Sequence, residues 1–193
     1  KHFIVGDSGT KNIDMVKQLF GGDPDGKLRY YATIDAAIGA CTANAGDMIF
    51  VMPGHTETLA TAGAIACDVA GITIVGLGYG ADRPTLTFDG TDATPSITVS
   101  AETKWFGAWI FVNDEASLNH MFDVTTDNFI IDGDIEKKLI EFREGSTTGL
   151  SFITADTADG DSDRMIIRGC KFYAPTAGNM DNAISLAKDF TGV

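Results

Sequence analysis

Apolar and polar residues alternate in short runs along most of this chain, and four of the runs close on a glycine. They are ITIVG at 72–76, KWFG at 104–107, FIIDG at 129–133 and MIIRG at 165–169. A two-residue period places successive side chains on opposite faces of a strand, so each run predicts a strand with one buried face. A second short strand precedes each of them across a polar bend: IACDVAG at 65–71, SITVSAE at 96–102, MFDVTTD at 121–127 and FITAD at 152–156, with ISLAKD at 184–189 remaining. TLTF at 85–88 and LIEF at 139–142 are third candidates within the intervals.

The glycine therefore recurs every two or three strands. Hairpins of an antiparallel sandwich would place a turn after every strand, whereas coils stacked in parallel at about 4.8 Å pair each strand with its equivalents above and below. A single coil cannot bury its inward side chains alone; stacking turns them into ladders. Counting two and four residues back from each glycine makes Ile72, Ile74, Trp105, Phe129, Ile131, Met165 and Ile167 inward, with Thr103 the one polar member. No helical pattern separates the later strands, which sets aside an α/β fold.

Before the repeats, Tyr31 to Glu57 reads YATIDAAIGACTANAGDMIFVMPGHTE. Thr33 is placed to cap a short helix, Asp35 stands in its first turn where the dipole favours an anion, and Ile34, Ala37, Ile38 and Cys41 share one face. Gly46-Asp47 then turns the chain into the apolar run Met48 to Met52, bounded by Pro53-Gly54. This succession resembles the N-terminal cap and first coil of right-handed parallel β-helix proteins, the pectin-lyase-like fold, and the resemblance covers most of the chain from about Tyr31 onward. It implies an all-β, right-handed parallel β-helix (solenoid) with a short N-terminal capping helix over 31–193. His55-Thr56-Glu57 falls where that fold often has an aromatic or His, then any residue, then Glu at the first corner, a structural role. Ile184 to Asp189 matches the first strand of a coil, so the solenoid apparently ends in mid-coil. Residues 1–30 are expected to form an N-terminal arm and loop, with a strand-like HFIV, a helical turn at 12–20 and a turn-rich 21–26. That arm either packs beside the cap or crosses to a neighbouring subunit.

Charge and cysteine content narrow the partners. The 27 acidic residues against 14 basic ones, a net charge of −13, oppose sequence-independent binding to nucleic acid, which needs basic patches facing phosphates. No apolar run is long enough to span a bilayer, so no membrane partner is expected. Lys1 stands where an initiator Met would, which suggests processing or a longer parent chain. Cys41, Cys67 and Cys170 are too few and too far apart for a disulfide framework or a zinc site, and their apolar surroundings predict buried free thiols.

Few residues suggest chemistry. Gly76-Leu77-Gly78-Tyr79-Gly80 follows a strand but leads into another strand rather than a helix, so it reads as a corner and not as a dinucleotide loop. Asp156, Asp159, Asp161 and Asp163 alternate around a glycine and form a weak Ca²⁺ candidate, the solvated loop being the plainer reading. Asp132 and Arg168 hold equivalent positions one coil apart, either as a cross-coil ion pair or, in the enzymatic alternative, as a catalytic pair. Asp134 and Glu136 beside them imply a bulge that turns Ile135 inward. His2, His55 and His120 stand isolated, and no serine has a nucleophile-elbow context. Beyond that Ca²⁺ candidate no cofactor is expected. Val75 and Phe106 before their glycines, and Trp109 after one, are expected to project outward as an apolar interface ridge, unless the register slips by one residue.

Many proteins that share the resemblance are bacteriophage virion proteins and tailspikes; others are polysaccharide lyases or hydrolases. It implies a structural virion protein, a head (capsid) decoration or tail-associated component. Such a protein self-associates, with a trimer favoured, docks on other virion proteins such as the capsid or tail, and resides on the phage particle or outside the cell when released. The alternative is a carbohydrate-active enzyme or carbohydrate-binding module of the pectin-lyase-like class. Enzymes of that class normally use a longer solenoid with large side loops, which favours the structural reading.

Overall fold

The computed structural model describes residues 1–6, 29–89, 95–114, 118–134, 136–137, 139–145, 150–155, 164–174 and 180–186. Apart from a five-residue helix α1 (Ile34–Ile38) and a 3-10 turn at Gly80–Asp82, the regular structure of this part is β-strand, and every pairing in it is parallel.

Three sheets result. The first contains β1 (His2–Val5), β2 (Tyr30–Tyr31), β3 (Met48–Val51), β6 (Ile72–Gly76), β9 (Thr103–Gly107), β12 (Ile130–Asp132) and β15 (Ile166–Arg168), ordered β15-β12-β9-β6-β3-β1-β2. The second contains β4 (Thr56–Leu59), β7 (Thr85–Phe88), β10 (Trp109–Asn113), β13 (Ile140–Glu144) and β16 (Cys170–Tyr173), paired in that order. The third pairs β5 (Ile65–Cys67), β8 (Ile97–Val99), β11 (His120–Val124), β14 (Leu150–Ala155) and β17 (Met180–Leu186) in succession. From β3 onward the chain visits the sheets in fixed rotation, and each strand pairs with the strand three places later. A sandwich of antiparallel hairpins is thereby excluded for these residues.

Alternation along each strand supplies the core. In the first sheet Ile49, Ile74, Trp105, Ile131 and Ile167 align in register, all but Ile167 fully buried. Leu86, Phe111, Phe142 and Phe172 form the ladder of the second sheet. Its three phenyl rings stack with centroids 4.9 and 5.1 Å apart, and each such pair contributes about 0.5–1.5 kcal/mol beyond the area it buries. In the third sheet Ile65, Ile97, Phe122, Ile153 and Ile184 align. Thr103 also points inward, and its hydroxyl finds a partner by donating to the Ala101 carbonyl at 2.9 Å.

The first strand, expected in an arm, lies between β2 and β3 within the first sheet, with His2 opposite Met48 and Val5 opposite Val51. The helical turn expected at 12–20 lies outside the described residues. In α1, the Thr33 hydroxyl accepts from the Ala36 amide at 3.3 Å, and Ile34, Ala37 and Ile38 are buried. The carboxylate of Glu57, in the corner segment, accepts the Ile34 amide at 2.6 Å and lies 3.2 Å from His55 Nε2. The helix packs on β5, the edge strand of the third sheet, and Asp35 Oδ1 accepts the Ala66 amide at 3.0 Å. A side chain thus satisfies a backbone donor on an open sheet edge.

Candidate functional site

The recurring glycines mark the passage from the first sheet to the second. Gly107 has φ +87°, and a Cβ placed on it would lie 2.2 Å from the Gly76 carbonyl oxygen. A Cβ placed on Gly133 would likewise lie 2.4 Å from the Gly169 carbonyl oxygen. Corners of successive circuits meet backbone to backbone, which no larger residue permits.

The residue before each glycine faces away from the core, and these residues align: Val75 opposite Phe106, Phe106 opposite Asp132, Asp132 opposite Arg168. Phe50 and Ile4 extend the column in the other direction. Its last two members are ion-paired, Arg168 Nη2 donating to Asp132 Oδ2 at 2.7 Å. The other Asp132 oxygen accepts the Asp134 amide at 3.0 Å. Asp134 has φ +67°, and its own Oδ1 accepts the Glu136 and Lys137 amides at 3.0 and 3.3 Å. Phe106, Gly107, Asp132, Asp134, Leu139 and Arg168 line an open depression of about 490 Å³ over this corner.

The electrostatics of the pair limit what it does. The Arg168 hydrogen bond, against the opposing effect of burial and with help from the Asp134 amide, holds the Asp132 carboxyl below the usual carboxylate range. Asp132 in turn raises Arg168 above the ordinary guanidinium value. General acid catalysis needs a carboxyl that keeps its proton near neutral pH, and elimination with Arg as base needs a guanidinium that gives one up. Both groups are shifted the wrong way for those tasks. They suit a cross-strand clamp, or a polar contact with a ligand or partner.

Other residues singled out from the sequence fall as follows. Val75 and Phe106 project outward and are half-buried. Trp109 does not: it is 0% exposed, in the core, 5.0 Å from the Trp105 ring, with its indole N–H donating to the Phe106 carbonyl at 2.8 Å. The expectation of an outward Trp109 fails because β9 ends at Gly107 and Ala108 is the whole corner. Trp109 opens β10 in the second sheet opposite Ile140, where the inward–outward count begins afresh. Asp156, Asp159, Asp161, Asp163 and Ile135 lie outside the described residues. Among the described residues no group of three or more His, Cys, Asp or Glu is arranged to hold a metal ion. The glycine run at 76–80 begins on the last residue of β6 and continues into the connection to β7, where Gly80 opens the 3-10 turn. Cys67 is buried, Cys41 and Cys170 are half-buried, and all three are free thiols.

Two clusters escaped the sequence reading. Arg83 spans to Glu141 at 3.2 Å and to the Leu139 carbonyl at 3.0 Å, and Arg143 shares the same carboxylate at 2.6 Å. Inside the core, the Asn113 amide lies 3.2 Å from both oxygens of the buried Glu144 carboxylate. Asn113 and Glu144 occupy the same register position one circuit apart, so a shared polar residue at the ends of two aligned strands is the signal that would have found them. Compared with known proteins, the chain matches no family model, no curated protein and no solved structure.

Proposed function

We propose that this chain is a right-handed parallel β-helix, with β1 and β2 extending its first sheet and α1 as its N-terminal cap, and that it serves as a structural protein of a bacteriophage virion. Strands visiting three parallel sheets in fixed rotation support the solenoid, and the near-universal right-handedness of parallel crossover connections supports its hand. The virion role follows from the resemblance of residues 31–57 to the caps of such proteins. In that role the chain decorates the head or belongs to the tail, associates with copies of itself, a trimer being favoured, and docks on other components of the particle. The observation that carries the structural reading is the outward apolar column through Phe50, Val75 and Phe106 on a chain with a net charge of −13. Half-exposed apolar ridges on charged proteins mark protein contacts.

One observation favours a second reading, a carbohydrate-binding or carbohydrate-cleaving module: an aromatic ring, Phe106, borders the depression that holds Asp132, Asp134 and Arg168. The locked ion pair weighs against the cleaving form. Light scattering of the purified chain, with and without Ca²⁺, separates the readings. A stable multiple of the 20.4 kDa chain mass, indifferent to calcium, is expected. A monomer that responds to calcium and releases sugar from an acidic polysaccharide panel would overturn the structural role.

A further inference from the structure

We infer that the outer face of the first sheet is the surface through which copies of this chain meet, with Phe106 at its centre; the inference rests on the self-association proposed above and names its surface. The three outer faces differ in kind. Along the third sheet the aligned outward positions are Ala66, Thr98, Asp123, Thr154 and Ser185, a polar series past the first strand. The second sheet presents Thr58, Thr87, Val112, Arg143 and Tyr173, apolar only at isolated points. Only the first sheet stacks apolar neighbours on one another, Phe50 on Val75 on Phe106, with Met48 and Ile130 half-exposed in the adjacent column.

Charge identifies the occupant. Two copies of a chain carrying −13 repel one another unless the surfaces that meet are close to neutral. This face is: Arg168 offsets Asp132, and Lys104 lies 3.5 Å from Glu102. A basic partner would be drawn to the acidic excess of the chain as a whole, 27 acidic against 14 basic residues, and gains nothing from an apolar column. A second copy brings a matching apolar column without net charge, and it also brings both signs to the polar end. Arg168, 52% exposed and bonded to Asp132 through Nη2, and the Asp134 carboxylate, 44% exposed with Lys137 at 3.7 Å, lie at the rim of the same depression, so the guanidinium of one copy can add a contact to the Asp134 of its neighbour. A surface that carries its own complement lets identical chains meet through one face.

Sedimentation of the full chain tests this. The wild type is expected as an oligomer, and Phe106→Glu, which places a carboxylate where the copies meet, is expected to raise the concentration for half-association at least about tenfold, a difference of about 1.4 kcal/mol. Thr98→Glu, on the polar face of the third sheet, keeps the wild-type mass. Circular dichroism and melting confirm that each variant is folded. Should Phe106→Glu fail to fold, Arg168→Glu at the exposed rim is expected to dissociate the oligomer in the same way. An oligomer unaffected by a folded Phe106→Glu, or disrupted equally by Thr98→Glu, overturns this surface while leaving the structural role intact. A wild type monomeric at every concentration overturns both.

Discussion

Replacing Gly107 with alanine tests whether the recurring glycine is a requirement of backbone contact or merely a loop residue. Two penalties meet there. At φ +87° an L-residue pays about 1–2 kcal/mol for left-handed backbone. The added methyl would also sit 2.2 Å from the Gly76 carbonyl oxygen, which accepts the Ala108 amide at 2.9 Å, so relief of the clash pulls on the hydrogen bond that seats the corner. Forcing a close-packed site apart in this way costs about 1–3 kcal/mol. Alanine returns about 0.4–1 kcal/mol by restricting the unfolded chain, leaving a net loss of about 1–5 kcal/mol. Gly46 is the matched control: its φ is +67°, but a Cβ there meets nothing within 4 Å, so Gly46→Ala should lose only about 1 kcal/mol. Urea unfolding of both variants, read as a shift in midpoint at constant slope, measures the difference. Equal losses in the two variants would refute the backbone-contact account.

Acid should destabilise the fold through Asp132 and Glu141. Burial pushes the Glu141 carboxyl up, but Arg143 and Arg83 together bring it below its ordinary value, and Arg168 does the same for Asp132. Carboxyls lowered in the folded state stabilise fully above the unfolded value near pH 4, and that contribution is lost as pH falls through the lowered folded values. Urea midpoints measured from pH 6 down to pH 2 should show this loss, and Glu141→Gln should flatten it; an unchanged profile would count against the assignment. Burial pushes the Cys67 thiol up to about 12, leaving on the order of one part in ten thousand as thiolate at pH 8. In a Cys41→Ser, Cys170→Ser background, a thiol reagent should therefore label Cys67 only as the chain unfolds, and labelling as fast as in denaturant would contradict the burial.

Much of the architecture was legible because a two-residue period and a sterically required glycine both leave marks in sequence. The strands of the first and third sheets could be aligned on those marks, and the equivalence of Asp132 with Arg168 followed from them. The second sheet was harder to see because its entry corners vary so much. Ala108 alone joins β9 to β10 and Gly169 alone joins β15 to β16, while residues 77–84 separate β6 from β7. Trp109 was misplaced for that reason: a one-residue corner hides inside an apolar run, and the inward–outward count does not carry across it. The contacts of Arg83 and the Asp35 bond to the Ala66 amide depend on which strands become neighbours in space, information that no local pattern holds.

The rotation of the chain through its sheets also sets how it can come apart. Asn113 and Glu144 are 31 residues apart and Asp132 and Arg168 are 36 apart, and each pair joins one circuit to the next. From β3 onward no ladder of the described strands reaches further than that, and β1, with His2 opposite Met48, is the exception. Each circuit therefore closes a loop of similar length at similar entropic cost, and its stability comes from the circuit beside it. A force applied along the stack would meet a series of comparable barriers, and the chain would yield one circuit at a time.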